Sequence, residues 1–350
     1  MQLAQLLTEA VRRRASDILL AVGAPAMFRI SGELCTADDI SLTAEHIELY
    51  FADVLNDEQR ETLDRQHDVD FSIGIEDLGR FRLNVHRQKG SLAAAIRHIP
   101  TEMPRLEQMN LPPVIEKLTQ LDHGLVLVTG QTGSGKSTTL AAMIDRINRR
   151  DPKHIITLED PIEFRFSHGR SLIEQREIGT DCPSFASGLK HVLRQDPDVI
   201  LVGELRDLDT IRTTLQAAET GHLVLGTLHS STAAGAVDRI IEVFPADEQM
   251  QIRSHLAQCL RAVITQRLLR SADGKGRVAA AEILVITRAI QTSIREATTH
   301  LIEGMMSTGR RHGMQTMEQA LQELVLNGCA SIEEIEDNTR QQEGLMPVGR

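Results

Sequence analysis

Apolar and polar residues change their spacing near residue 100, and this change divides the chain into two regions. The first region opens with a helix over residues 2–14, because Leu3, Leu6 and Leu7 recur on one helical face. Two short helical stretches follow between about 43 and 65. Alternating segments, typical of antiparallel strands with one solvent-facing side, make up the rest. We expect an α+β domain with strands at Asp17–Val22, Ala26–Ile30, Asp68–Glu76, Arg80–Arg87 and Ser91–Ile99.

Prolines mark the boundary between the two regions. The segment Pro100–Pro113 holds four of them and shows little periodicity. Each proline lacks an amide donor and disfavours a helical conformation in the preceding residue. The segment is therefore predicted to be a linker, between an N-terminal domain over 1–99 and a second domain over 114–350.

The second region alternates short apolar runs with amphipathic helices. Lys136–Arg149, for example, places Leu140, Met143 and Ile147 on one face. Continuous aliphatic runs are typical of strands buried on both faces of a parallel sheet. From about residue 246 the pattern predicts mostly helix, interrupted by a hairpin around Ala272–Arg277. The region reads as α/β, with buried strands at Leu125–Thr129, Ile155–Leu158, Val199–Val202 and Leu223–Thr227.

Composition narrows the classes of function. Hydrophobic residues make up 41% of the 350 residues and the formal net charge is −11, which argues against nucleic acid as the main partner. The chain contains no apolar window of the ~18 residues that a membrane span requires. Near the N-terminus the basic cluster follows the apolar residues, the reverse of a secretory signal, so we expect a cytoplasmic protein. Four scattered cysteines without a CxxC pair favour reduced thiols over a zinc site or disulfides.

The strongest chemical signal is the segment GQTGSGKS at residues 130–137, which fits the phosphate-loop pattern GxxxxGKS or GxxxxGKT. Glycines let the backbone curl so that amide groups point at phosphate oxygens, and the following helix presents its positive end. Lys136 would neutralise the β- and γ-phosphates, and Ser137 would ligate Mg²⁺. The residues assigned to nucleotide binding are Gly130, Thr132, Gly133, Ser134, Gly135, Lys136, Ser137 and Thr138.

Acidic residues end two later strands. Glu204 follows Val199–Val202 and would reach Mg²⁺, through water, or arrange the attacking water. Glu159, Asp160 and Glu163 follow another strand, and one of them would position or activate the water. Taken alone, each group also fits a solvated strand end or an acidic surface loop. Their position after a phosphate loop favours the functional interpretation.

His229 lies two residues after the predicted strand Leu223–Thr227. At the carboxyl edge of a parallel sheet, such a histidine could contact the γ-phosphate and respond to hydrolysis. An isolated histidine is more often an ordinary hydrogen-bonded residue, so this role depends on the other motifs.

Four segments in order carry a family resemblance. GQTGSGKSTTLAAM, ITLEDPIEF, RQDPDVILVGELRD and AAETGHLVLGTLHS resemble the Walker A, Asp, Walker B and His boxes of the type II/IV secretion ATPases. The similarity is greatest to the type IV pilus retraction ATPases, the PilT-like motors of twitching motility. Segments such as GRFRLNVHRQ near residue 80 and GRVAAAEIL near 276 extend it over nearly the whole chain.

The resemblance implies a fold, partners and residue roles. The fold would be a PAS-like α+β N-terminal domain followed by a RecA-like P-loop ATPase domain with a helical C-terminal extension. The protein would hydrolyse ATP with Mg²⁺ as a cytoplasmic homohexamer that associates peripherally with the inner membrane, through a pilus platform protein and with a possible second retraction motor. Ser137 and Glu204 would hold the metal. Glu163 would activate water, His229 would sense the γ-phosphate, and Arg82 and Arg97 would reach the nucleotide on domain closure.

Some residues depart from the family pattern. Leu19 stands where the family has a histidine, and Gln291 and Ser293 replace family residues in a segment linked to retraction. These departures leave an accessory or paralogous pilus motor as an alternative. A type II secretion or pilus assembly ATPase is a further alternative, although the chain lacks the four-cysteine insertion usual in that branch. A DNA motor, a regulatory GTPase and a non-hydrolysing paralog fit the residues less well.

Overall fold

The computed structural model describes residues 3–30, 32–75, 78–99, 103–274 and 276–335. The chain divides into two compact units, Met1–Glu102 and Met103–Arg350. Residues 100–102 of the predicted linker lie outside the described residues, as do residues 76 and 77 of the predicted turn between the alternating strands. From Met103 onward the predicted linker belongs to the second unit, where Leu106 is buried in a cluster with Ile115.

The first unit is built on a six-stranded antiparallel sheet in the order β3-β2-β1-β6-β5-β4. Three helices supply side chains to a core that contains Leu7, Phe28, Phe51, Phe81 and Ile96. The elements are α1 (Leu3–Arg12), β1 (Asp17–Leu20), β2 (Pro25–Ile30), β3 (Glu33–Ser41), α2 (Ala44–Phe51), α3 (Asp57–Gln66), β4 (Asp68–Ile75), β5 (Gly79–Gln88) and β6 (Ser91–Ile99). The predicted strands and short helices of this region are confirmed.

Strand β3 was not predicted from the sequence. It lies at an edge of the sheet, pairs with β2, and leaves most of its side chains exposed or half-exposed. Its sequence ELCTADDIS therefore needs no regular alternation of apolar and polar residues.

The second unit is built on a seven-stranded sheet in the order β13-β12-β7-β11-β10-β8-β9. Neighbouring strands are parallel, apart from the antiparallel pair β12 and β13. The strands are β7 (Gly124–Thr129), β8 (His154–Glu159), β9 (Leu172–Glu177), β10 (Val199–Val202), β11 (Leu223–Leu228), β12 (Leu260–Arg270) and β13 (Arg277–Val285). The helices are α4 (Val114–Leu118), α5 (Lys136–Arg150), α6 (Phe185–Val192), α7 (Leu208–Glu219), α8 (Ala233–Glu242), α9 (Gln249–Cys259), α10 (Arg288–Arg295), α11 (Ile302–Thr308) and α12 (Met317–Leu326).

Burial explains the continuous apolar runs. Every residue of β7, β10 and β11 is buried. Two clusters of apolar side chains draw residues from these central strands, one including Leu125 and Val224 and the other including Val126 and Leu225. Alternate residues of one strand thus pack on opposite faces of the sheet, as expected for a parallel sheet covered on both sides.

The prediction that the chain is mostly helical beyond residue 246 is wrong for one long segment. The predicted hairpin is present, but it joins strands of 11 and 9 residues, β12 and β13. The sequence of β12, LRAVITQRLLR, contains several good helix formers. Its pairing with β7 and β13 buries both faces, and that tertiary gain overrides the local preference. Strand β9, a half-exposed edge strand, was also missed.

The parallel order determines where chemistry can occur. Strands β7, β11, β10 and β8 run in one direction, so their carboxyl ends lie at the same edge of the sheet. The segments that follow them begin at Gly130, His229, Gly203 and Asp160. Ligands bind at this edge in open α/β sheets.

Candidate active site

The phosphate loop connects β7 to α5 and requires glycine at several positions. Gly130, Gly133 and Gly135 have φ angles of 140°, 79° and 90°. A Cβ atom on Gly130 would lie 2.5 Å from the Gln266 carbonyl oxygen and 2.5 Å from Ser134 Oγ. The loop can adopt its curl because these positions lack side chains, and its amide groups then face an anion at the start of α5.

Lys136 begins α5 and lies across the loop. Its ammonium donates hydrogen bonds to the carbonyl oxygens of Gly130 (3.0 Å) and Gln131 (2.9 Å). Partial burial lowers the pKa of Lys136, while the nearby charges of Glu204 and Glu163 act in the opposite direction. The two carboxylates therefore lie within electrostatic range of the lysine that the sequence assigned to the phosphates.

Glu204 follows β10 and is held between two side chains. Its Oε2 lies 2.7 Å from Nη2 of Arg206, and its Oε1 lies 3.3 Å from Nε2 of His229. Burial alone would raise the pKa of Glu204, but the hydrogen bond and charge of Arg206 outweigh that effect and lower it overall. His229 and Lys136 contribute in the same direction. The structure thus brings together three predicted site residues around an ionised carboxylate.

The acids at the end of β8 and in the segment that follows it differ in burial. Glu159 is 8% exposed, and its Oε1 accepts hydrogen bonds from Thr157 Oγ1 (2.7 Å) and Gln175 Nε2 (3.1 Å). Burial raises the pKa of Glu159 in spite of these bonds. Glu163 is exposed, and its backbone amide lies 3.5 Å from Glu159 Oε2. The buried acid therefore braces the loop, whereas the exposed acid is accessible to a water molecule.

An open cleft of about 810 Å³ lies beside the phosphate loop. Its walls include Gly130–Thr132, His229–Ser231 and the α8 residues Gly235 and Arg239. A smaller cavity of about 110 Å³ lies between the loop and β12. The cleft is the space available to a nucleotide beside the phosphate loop and His229.

Sequence reasoning did not assign two polar residues of this region. Arg206 lies two positions after Glu204, within the quoted segment GELRD, so proximity to the acid was an available signal. Gln266 is 1% exposed and donates from Nε2 to Thr139 Oγ1 at 2.8 Å, which ties β12 to α5. A glutamine within an apolar strand gives no comparable signal in the sequence.

Arg82 and Arg97 lie in the first unit on adjacent strands. They are direct cross-strand partners in β5 and β6, and both side chains are exposed. Arg97 pairs with Asp17 at 2.9 Å, and Arg82 lies 4.0 Å from Asp70. Arg87 is offset by an odd number of residues from Arg82 and contacts Asp64 of α3 at 2.8 Å. The proposed contact of Arg82 and Arg97 with nucleotide stays a prediction.

The oxygen donors fit magnesium. Ser137 supplies a hydroxyl in the first turn of α5 and Glu204 supplies a carboxylate, both hard ligands of the kind Mg²⁺ takes. Among the described residues, no group of three or more histidine, cysteine or acidic side chains could hold a metal. Such a metal would thus rely on phosphates and water for its other ligands, the usual arrangement in nucleotide-hydrolysing proteins.

The site combines a phosphate loop between a strand and a helix with an acid and a histidine that follow neighbouring parallel strands. This arrangement is that of a RecA-like P-loop nucleotide hydrolase. The family model described as "Type II/IV secretion system protein" matches residues 1–343, and the chain belongs to this family. It is 44% identical over 343 residues to a twitching motility protein of Neisseria gonorrhoeae, covering 98% of this chain and 91% of that protein. It is 42% identical over 340 residues to the type IV pilus retraction ATPase PilT of Pseudomonas aeruginosa, covering 97% and 98% of the two chains.

A solved structure extends the comparison to three dimensions. The crystal structure of the pilus retraction motor PilT with bound ADP aligns with a TM-score of 0.88 and 44% identity, over 95% of this chain and 96% of that one. The predicted fold class, family resemblance and ATPase activity are confirmed. In the part of the chain that the structure describes, no helix combines the length and apolar character needed to cross a membrane.

Proposed function

We propose that this chain is the ATP-hydrolysing motor of type IV pilus retraction and twitching motility. The observation that carries the proposal is the assembled site of Lys136, Glu204 and His229, on a chain that matches a pilus retraction ATPase over 97% of its length. A non-hydrolysing relative would have no need to keep a lysine, a carboxylate and a histidine together beside the phosphate loop.

Each residue has a part in hydrolysis. The loop amides and Lys136 bind the β- and γ-phosphates, and Ser137 and Glu204 hold Mg²⁺, which when bound neutralises phosphate charge. Glu163 accepts a proton as water attacks the γ-phosphorus, while the bond to the bridging oxygen breaks and ADP leaves. His229 contacts the γ-phosphate. Arg82 and Arg97 of the N-terminal domain would reach the nucleotide on domain closure.

A motor of this kind also requires an oligomeric assembly and a partner protein on which it acts. We infer a homohexamer, because a nucleotide at the edge of a parallel sheet can be enclosed by a neighbouring subunit in a closed ring. The ring would act in the cytoplasm on an inner-membrane pilus platform protein, alone or with a second retraction motor. Light scattering with nucleotide should give a mass about six times 38.8 kDa, and a monomer under every nucleotide condition would contradict the ring.

Gene deletion tests the direction of force. Loss of a retraction motor should give cells that carry many surface pili yet do not twitch, and wild-type protein should restore movement while a Glu204→Gln variant should not. Bald cells would instead identify an assembly ATPase. Piliated cells that twitch normally until a second motor is also deleted would identify an accessory motor.

A further inference from the structure

Glu282 is a buried acid outside the residues assigned to catalysis. It lies on β13, is 8% exposed, and accepts a hydrogen bond from the Ala233 amide to Oε1 at 2.6 Å. The backbone amide of Met317 also faces this carboxylate and acts to lower its pKa. Ala233 and Met317 are the first residues of α8 and α12, so this side chain bonds the N-terminus of α8 to the edge strand of the sheet and faces the N-terminus of α12.

The helix that begins at Ala233 continues from the His229 segment. Three residues, Ser230 to Thr232, separate His229 from α8, and Ser230 and Ser231 line the nucleotide cleft together with Gly235 of the helix. Thr232 caps α8 by accepting a hydrogen bond from the Gly235 amide at 3.1 Å. The position of the α8 N-terminus therefore sets the position of the segment that faces a phosphate.

A carboxylate suits this location better than a neutral side chain. The first turn of a helix presents unpaired amide donors and a partial positive charge, and here two helix ends converge on one group. Burial nevertheless raises the pKa of Glu282, which marks a desolvation cost. Glu303 acts in the same direction, whereas Arg267 and the two amides oppose it. An amide side chain carries no negative charge and presents one oxygen where the carboxylate presents two, so it would hold the helix N-terminus less firmly.

We propose that Glu282 is a positioning residue for γ-phosphate recognition, because it anchors the N-terminus of α8 and so holds the His229–Ser231 segment against the cleft. The proposal rests on the γ-phosphate contact assigned above to His229. ADP lacks the γ-phosphate, so Glu282 should affect the preference for ATP over ADP and leave ADP affinity unchanged.

The test measures competition of ADP and a non-hydrolysable ATP analogue against a fluorescent nucleotide on the full chain. Glu282→Gln should lower the ratio of analogue to ADP affinity by about tenfold, the loss expected for one broken buried contact, with ADP affinity unchanged. Thr232→Ala, which loosens the same helix end by a separate contact, should change the ratio in the same direction. Thr316→Ala is the matched control, because it removes the cap of α12 alone and should leave the ratio unchanged.

An unchanged ratio of analogue to ADP affinity in Glu282→Gln would overturn the inference. This holds whether both affinities stay at the wild-type value or both fall equally, the second being what a purely structural role would produce. His229→Ala in the same assay separates the two levels of argument. If His229→Ala leaves the ratio intact, the assigned γ-phosphate contact is wrong, whereas a lowered ratio in His229→Ala alone refutes the role of Glu282. If thermal unfolding measurements show that Glu282→Gln is not folded, the affinity ratio of Thr232→Ala is compared with that of Thr316→Ala instead.

Discussion

Glu159, which ends β8, and Glu163, four residues later, should respond differently to the same substitution. Glu159→Gln keeps an oxygen in place to accept from Thr157 and Gln175, and the new amide faces one long contact, the Glu163 amide at 3.5 Å. We expect ATP turnover within about threefold of wild type, since a buried brace keeps its shape. Glu163→Gln removes the accessible base and should lower turnover by ~10²-fold or more while ATP still binds.

The free energy of unfolding should be affected in the opposite order, more by Glu159→Gln than by Glu163→Gln. Burial raises the folded-state pKa of Glu159, so between the unfolded and folded pKa values the folded chain binds more protons than the unfolded chain. The free energy of unfolding of the wild type therefore falls as pH rises through that window, which begins near pH 4.5. Glutamine has no proton to lose, so Glu159→Gln should gain stability relative to wild type between acidic and neutral pH. Glu163→Gln, on the surface, should stay within about 0.5 kcal/mol.

Glu159→Ala provides the matched control for the brace. It removes the acceptor of the buried Thr157 hydroxyl, leaves Gln175 Nε2 with the Phe164 carbonyl as its remaining acceptor, and opens a cavity, which together should cost about 2–4 kcal/mol. Turnover and urea unfolding of the purified full chains, measured at pH 5 and pH 7, test all three variants. If Glu159→Gln loses ~10²-fold in turnover while Glu163→Gln does not, the base is Glu159 and the assignment by burial is refuted.

Three further outcomes follow from the site. Lys136→Ala should abolish hydrolysis, because the phosphate charge loses the lysine of the loop, and near wild-type turnover would contradict the nucleotide site. Glu204→Gln should keep ATP binding in a fluorescent-nucleotide titration and lower turnover by ~10²-fold; parallel loss of binding would show that the acid shapes the pocket instead. Arg82→Ala and Arg97→Ala should each reduce turnover far more than ATP affinity, and equal loss in Arg87→Ala would show that net charge matters rather than position.

Local geometry explains what the sequence could predict. The phosphate loop can be predicted from the sequence because its backbone has φ angles from 79° to 140°, which require glycine. The requirement involves only a few consecutive residues. Strand β10 can also be predicted, because burial on both faces excludes polar residues and gives a continuous apolar run. Strands β12 and β13 were misjudged because their identity depends on partners far along the chain.

The same distinction applies within the site. Lys136, Glu204 and His229 follow strands at recognisable positions, so the parallel topology alone predicts that they converge. Glu282 and Gln266 lie within strands, and their roles arise from backbone amides and side chains contributed by α8 and α5. A sequence pattern records which residues are buried, but the partner of a buried polar group appears only when distant elements are packed.

The order of the sheet places His229 between the phosphate loop and Glu204. Strand β11 lies between β7, which leads to the phosphate loop, and β10, which leads to Glu204. A side chain at its end can therefore face the cleft and touch the acid at once, as His229 does at 3.3 Å from Glu204. Because α8 begins four residues later and is fixed to β13 by Glu282, a displacement of His229 acts on a helix anchored at the sheet edge. If His229 contacts the γ-phosphate as proposed, we expect gain or loss of that phosphate to shift the His229–Ser231 segment against the fixed N-terminus of α8.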